Sequence, residues 1–249
     1  MVMFYFSGTG NSKYIAELFC RQMNAPCHSI EEPMDFRPLI EANEVIGFCY
    51  PVYMSRVPRI LRNFVHRHMD VLKHKKLIIL CTQLIFSGDG ARAFAALFPK
   101  HHIEVQYAEH FFMPNNVSNV LILPMTGPKG IERCLARAEG KIQAVSRDIK
   151  RGKIKKRGFN ILSQALGLIQ GVFLSTVENM ANTSLKVREN CTNCQICVDI
   201  CPMKNLRFEN GQIDHRQNCT MCYRCINQCP QKAITLGYHG SVKSQYKGL

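Results

Sequence analysis

The sequence predicts a doubly wound α/β domain with a five-stranded parallel sheet, followed by a smaller α+β domain. Three observations carry this reading. An apolar strand over 2–6 runs straight into a glycine-rich turn and an amphipathic helix, strand-like and helix-like stretches then alternate to about residue 150, and beyond residue 184 eight of the 13 cysteines fall into two copies of one pattern.

The first strand, over 2–6, is short and apolar, and the helix over 13–23 places Ile15, Leu18 and Phe19 on one face. Further strands are expected over 25–30, 44–50, 76–82 and 103–112, with helices over 58–69, 89–98 and 128–151. In such a sheet a ligand sits beyond the carboxyl ends of the strands, where strand order reverses. The loops leaving strands one, three and four should therefore share a site.

The loop after strand one, Ser7-Gly8-Thr9-Gly10-Asn11-Ser12, has the chemistry of an anion site. Backbone N–H groups at a helix start and the hydroxyls of Ser7, Thr9 and Ser12 can surround a phosphate that the glycines allow to approach closely. A nucleotide-triphosphate loop would need GxxxxGK[ST], and a dinucleotide fingerprint would need a third glycine where Lys13 stands; neither is present. The loop after strand three offers Pro51, Val52, Tyr53 and Met54, with Tyr53 the candidate to stack on a planar ring. The loop after strand four offers Thr82, Gln83, Ser87, Gly88 and Asp89. Ordinary surface turns are the competing reading of these two loops.

The cysteine runs are Cys191-x2-Cys194-x2-Cys197-x3-Cys201-Pro202 and Cys219-x2-Cys222-x2-Cys225-x3-Cys229-Pro230, each member offset by 28 residues from its counterpart. Four thiolates in one tight run suit an iron–sulfur cluster; structural zinc usually takes separated pairs, and disulfides need an oxidising compartment for which nothing argues. The repeat resembles bacterial two-cluster 4Fe-4S ferredoxins over about residues 184–240. In that arrangement the cysteine before proline serves the opposite cluster, so Cys191, Cys194, Cys197 and Cys229 are expected to hold one cluster and Cys219, Cys222, Cys225 and Cys201 the other. Crossed ligation fastens the halves together, and metal loss should unfold them. Asn210-Gly211 reads as a hairpin turn between the halves.

The opening FYFSGTGNS is similar to the Ser/Thr-rich phosphate loop of flavodoxins. With the YPVYMSRVP loop, the MPNN stretch at Met113–Asn116 and the paired Cys-Pro runs, nearly the whole chain resembles the flavodoxin–ferredoxin fusion proteins of anaerobic bacteria and archaea. The resemblance implies a flavodoxin-like FMN domain over 1–157, a connecting helix over 158–183 and a two-cluster ferredoxin-like domain over 184–249. It departs from related proteins after strand four, where QLIFSGDG replaces a short Gly-Gly turn.

The remaining cysteines, Cys20, Cys27, Cys49, Cys81 and Cys134, read as packing residues, and the cysteine usage suits a reducing cytoplasm. His66, His68, His74, His101, His102 and His110 are scattered and read as surface groups rather than catalytic ones. The formal charge is +14, and residues 129–157 hold eleven Lys or Arg against Glu132, Glu139 and Asp148. That face is expected to be solvated, to dock an acidic redox partner, or to touch anionic lipid; no nucleic-acid module accompanies it. The apolar stretch over 159–177 is broken by polar residues and short for a membrane span. It is expected to pack the second module onto the first, an interfacial helix being the alternative.

The function implied is intracellular electron transfer, in which single electrons pass between two 4Fe-4S clusters and one FMN and on to a partner protein. The alternative is an enzyme, a reductase that acts on a small molecule at the flavin and uses the clusters as a wire.

Overall fold

Alternate residues of the central strands feed two different cores, which is why the first domain carries helices on both faces of its sheet. The computed structural model describes residues 1–86, 88–100, 102–118, 123–237 and 241–249, with the side chains of 172–177 set aside. Strand β1 (Val2–Tyr5) leads into α1 (Asn11–Met23), then β2 (Cys27–Ser29), α2 (Arg37–Glu41), β3 (Val45–Pro51), α3 (Arg59–Arg67), α4 (Met69–Leu72), β4 (Lys75–Gln83), α5 (Gly90–Ala95), β5 (Ile103–Phe112), α6 (Pro128–Lys150) and β6 (Lys155–Lys156). The strands form one parallel sheet in the order β2-β1-β3-β4-β5-β6. The reversal falls at β1, so the loops after β1, β3 and β4 meet at one end.

Val2, Phe4, Ile46, Phe48, Leu77 and Ile79 point into one core with α3 and α5, where Phe48 and Phe94 lie 4.7 Å apart. Met3, Cys49, Ile78 and Leu80 point into the other, against Ile15 and Phe19 of α1 and Ile142 and Val145 of α6. Each fully buried side chain of this size removes about 1.5–3 kcal/mol of apolar exposure.

The five expected strands are joined by a sixth, β6, a two-lysine edge pair beside Tyr107 and Ala108 of β5. Its residues carry no apolar pattern; what holds them is charge. Glu109, 1% exposed, lies 3.0 Å from Lys141, 2.7 Å from Lys155 and 3.4 Å from Arg157. Part of the basic stretch thus neutralises a buried carboxylate rather than facing solvent. Two histidines also differ from expectation. His68 is buried with Nδ1 2.9 Å from the Phe64 carbonyl, and His110 is buried in β5, where burial and the nearby Arg157 and Lys141 push its pKa down to about 4. His101 lies outside the described residues.

Helix α7 (Ile161–Ser184) follows, then β7 (Lys186–Val187), α8 (Ile196–Asp199), β8 (Leu206–Glu209), β9 (Gln212–His215), α9 (Arg224–Gln228) and β10 (Ile234–Thr235). The β8–β9 hairpin turns at Asn210 (φ 51°) and Gly211 (φ 77°), the doubly left-handed turn that Asn-Gly favours. The cysteine repeat is also a repeat of backbone. Asn193 and Met221 (φ 54° and 57°), Gln195 and Tyr223 (both 60°), and Lys204 and Lys232 (49° and 51°) are left-handed at matching positions. Of the five other cysteines, Cys20, Cys49 and Cys81 are buried, and Cys27 and Cys134 are half-buried.

Candidate cofactor sites

Two small cavities in the second module are each lined by four cysteines. One is bounded by Cys191, Cys194, Cys197 and Cys229, the other by Cys201, Cys219, Cys222 and Cys225. Each takes three thiols from one run and the fourth from the Cys-Pro of the other run. Among the described residues no three His, Cys, Asp or Glu side chains converge as a single ion would require. At a Zn–S bond of about 2.3 Å, tetrahedral thiolates sit about 3.8 Å apart; a cubane cluster, with a thiolate at each iron corner, holds its thiolates farther apart.

The backbone donates to these sulfurs with the same two-fold logic. Asn193 N and Met221 N donate to Cys191 and Cys219 (3.4 and 3.3 Å), and Asn205 N and Ala233 N donate to Cys201 and Cys229 (3.2 and 3.3 Å). Such bonds stabilise thiolate sulfur and tune a cluster's potential. Burial pushes the Cys197 and Cys219 thiols up to about 11 and Cys222 up to about 12, so a bound metal is what would hold them deprotonated. The environments differ. Cys194 is exposed at the first cavity, whereas the second is wedged against the first module.

That wedge meets the loop Ser7–Ser12. Gly10, with φ 98°, ends the loop and caps α1 without a side-chain hydrogen bond, and no acidic residue occupies the first helical turn. Such a helix start suits an anion, but here it is covered by protein: a side chain at Gly10 would run into the backbone of Leu249, and one at Gly248 into the Thr9 carbonyl. Ser7 Oγ accepts from Gly10 N (3.1 Å), Thr9 Oγ1 from Asn116 Nδ2 (3.0 Å), and Ser12 Oγ lies 2.7 Å from Thr82 Oγ1. Asn11 donates to the Pro114 carbonyl (2.9 Å) and accepts from the Tyr246 hydroxyl (2.7 Å). The expected close approach at Gly8 is made by protein: a side chain there would run into the backbone carbonyl of Cys222.

Arg224 secures this contact. Its guanidinium donates to the carbonyls of Ser7 (2.7 Å) and Gly8 (3.1 Å), to Ile200 (3.1 Å), and to both carboxylate oxygens of Glu31 (2.7 and 2.8 Å). Asn227 adds a bond to the Asn116 carbonyl (2.8 Å). From the adjoining side, Arg62 pairs with Glu178 (2.9 Å), and Asn182 accepts from Cys219 N (2.8 Å).

The ring-side loops also converge. Pro51 pairs with Thr82 across β3 and β4, and Val52 N donates to the Thr82 carbonyl (2.9 Å). Tyr53 and Arg56 exchange backbone bonds (3.1 and 2.8 Å), and Tyr53 packs into the core of the second module. Burial and the nearby thiols of Cys222 and Cys219 push its hydroxyl pKa well up. Met54 is 43% exposed. Gly88 lies against Ser55 and Gly167, while buried Asp89 is engaged by Arg56 (3.3 Å) and Arg92 (2.8 Å). Ser87 lies outside the described residues. Tyr53 Oη and Gln83 Oε1 are buried without a hydrogen-bond partner among the described residues. The hydroxyls of Ser7, Thr9 and Ser12 around a helix start without a side-chain cap are the donor set an FMN phosphate needs, and in this structure they lie buried and engaged by protein groups.

Sequence reasoning missed Arg224, Asn227 and Glu31, whereas Asn116 lies in the MPNN stretch already singled out. A signal existed for two of them. The two cysteine runs are near-copies, yet Ile196 and Asp199 of the first become Arg224 and Asn227 in the second, at the docking surface.

Comparison with known proteins agrees with this division. The flavodoxin-domain family matches residues 2–119, and the 4Fe-4S dicluster-domain family matches residues 184–241. No curated protein matches the chain. Similar solved structures include a flavodoxin, WrbA-like protein from Agrobacterium tumefaciens (20% identity, TM-score 0.41, covering 61% of this chain and 98% of that one). Another is the two-electron-reduced flavodoxin of Megasphaera elsdenii (19% identity, TM-score 0.39, covering 57% and 99%). The flavodoxin domain implies FMN and the dicluster domain implies 4Fe-4S chemistry, which together support an electron-transfer role. The chain is a flavodoxin–ferredoxin fusion.

Proposed function

We propose that the protein carries single electrons between a partner protein and a flavin site by way of two 4Fe-4S sites, an outer one at Cys191, Cys194, Cys197 and Cys229 and an inner one at Cys219, Cys222, Cys225 and Cys201. The observation that carries this reading is the seating of Cys222 on Gly8: a cysteine lining the inner cavity rests on the phosphate loop itself. FMN when bound supplies one- and two-electron redox chemistry, and the clusters one-electron chemistry.

The chain's own residues supply placement. Arg224 and Glu31 clamp the inner cysteine loop to the loop Ser7–Ser12, Tyr53 fills the contact between them, and the amides of Met221 and Asn205 donate to inner sulfurs. Such a clamp holds donor and acceptor at one separation. The outer cavity, with Cys194 exposed, is the side open to a partner.

Anaerobic reconstitution followed by iron, sulfide and flavin analysis tests the composition, with about eight iron and one FMN per chain expected. Stopped-flow reduction by a ferredoxin-level donor tests the route. Flavin reduction should slow strongly in Cys194→Ala, and an unchanged rate in that variant would overturn the outer-to-inner order.

A further inference from the structure

Helix α7 is turned the wrong way round for a helix buried between modules. At 100° per residue, Ile161, Leu162, Ala165, Leu166, Leu168 and Ile169 share an arc of about 160°, and that arc faces outward. Ile161 is 85% exposed, Leu162 71%, Ile169 61% and Leu168 56%. The inward face is small and polar. A side chain at Gly167 would run into the Asp89 carboxylate and one at Gly171 into the Arg56 guanidinium, while Gln170 accepts from the Ser55 hydroxyl and Gln164 donates to the Phe159 carbonyl (2.8 Å). The expectation that the apolar face would join the modules holds only for the last turns, where Ala181 and Leu185 enter the second core. Polar and glycine residues seat the first half, leaving aliphatic side chains in water.

Two further observations bear on what covers this face. The loop whose Gly88 touches Gly167 presents Ile85 and Phe86, 65% and 47% exposed. The segment leading into the helix, residues 147–157, carries seven basic residues, of which Lys155 and Arg157 pair with Glu109 and Lys153 with Asp148, so Arg147, Lys150, Arg151 and Lys156 make up the flank; residues 158–177 carry no charge at all. Protein interfaces are anchored by Tyr, Trp and Arg. Here the helical face is wholly aliphatic and the basic residues stand in the segment before it, which together supply the two contributions to interfacial binding, buried apolar area and attraction to anionic lipid. No helix among the described residues is long and apolar enough to cross a membrane.

We propose that the first half of α7, with the Ile85–Phe86 loop, lies on an anionic phospholipid surface, the apolar arc entering the acyl boundary and the 147–157 segment meeting headgroups. The test is co-sedimentation of the full-length holoprotein with phosphatidylcholine vesicles and with mixed phosphatidylcholine–phosphatidylglycerol vesicles. Binding is expected on the anionic vesicles only. The double variant Ile161→Glu, Leu168→Glu should abolish it, and Lys156→Glu, which reverses one flank charge, should weaken it about thirtyfold. Iron and flavin content, unchanged in these exposed-site variants, guards against a folding artefact. Failure of the wild type to bind anionic vesicles overturns the proposal, as does binding by the double variant. A wild-type dimer that becomes monomeric in the double variant also overturns it, since a second copy then covers the face.

Discussion

Replacing Arg224 by leucine should undock the two modules while leaving each intact. Leucine keeps part of the buried bulk but deletes the five hydrogen bonds that Arg224 makes to Glu31, Ser7, Gly8 and Ile200. Ser7 is buried and Gly8 is covered by Cys222, so their carbonyls lose partners without gaining water, at about 1–3 kcal/mol each. Arg224 and Glu31 are 21% and 24% exposed, so their ion pair is partly screened and adds about 1 kcal/mol. Because the bonds share one guanidinium they do not add fully, and the net cost is about 4 kcal/mol, close to a thousandfold in the docking equilibrium. The assay pairs calorimetry of the anaerobic holoprotein with stopped-flow flavin reduction. The melting transition should fall by roughly 8–16 °C, with iron content retained and flavin reduction through the clusters slowed. Glu31→Gln, which removes only the charge, should cost about 1 kcal/mol. The reasoning is refuted if Arg224→Leu melts within about 3 °C of the wild type and reduces its flavin at the same rate.

Cys229→Ser should remove the cluster of the first cysteine run and spare that of the second, which anaerobic electron paramagnetic resonance can follow; loss of the signal that also disappears in Cys222→Ser would contradict crossed ligation. Gly8→Val drives a branched side chain into the Cys222 carbonyl and should destabilise the docked protein by about 1–3 kcal/mol, measured by denaturant unfolding; wild-type stability would show the contact to be dispensable. Glu109→Gln leaves Lys141, Lys155 and Arg157 facing a neutral group, and with Lys155 and Arg157 44% and 46% exposed the cost near neutrality is about 2 kcal/mol. Burial alone would raise the pKa of Glu109, but Lys155, the His110 amide and Lys141 outweigh it and hold it below the ordinary value of 4.5. A depressed folded pKa gives stability that is complete above the unfolded value and lost as pH falls through the folded one, so the gap between wild type and variant should close in acid below that value. A gap independent of pH in denaturation curves would refute the pairing.

Much of this architecture was legible because its causes are local. The unbroken apolar run Val2, Met3 and Phe4, buried on both faces of the sheet, the Ser7–Ser12 turn before a helix, and the Asn210-Gly211 hairpin all act within a few residues, as does the spacing of three thiols in one loop. Strand β6 was not legible, because Lys155 and Arg157 are drawn to a carboxylate at 109 and the pair Lys155–Lys156 carries no apolar alternation. The orientation of α7 was hidden for a similar reason. Its apolar arc suggests burial, whereas Gly167 and Gly171 select the inward face by letting Asp89 and Arg56 approach. The seating of Cys222 on Gly8 joins positions more than two hundred residues apart, with no periodicity to announce it.

The cysteine repeat nevertheless contained more than its ligand spacing. Two copies that only held clusters would be free to keep the same residues between ligands, yet they diverge where the second meets the first module. Ile196, 39% exposed, becomes Arg224 with five hydrogen bonds, and exposed Asp199 becomes Asn227, fully buried and bonded to the Asn116 carbonyl. Gln195 becomes Tyr223, packed into the second core while keeping the same left-handed backbone. The backbone is common to both copies because cluster ligation demands it; the side chains differ because only one copy is docked. The asymmetry therefore distinguishes an inner site from an outer one, and it leaves Ile196 and Cys194 exposed at the outer site, the side from which the proposed electron route starts.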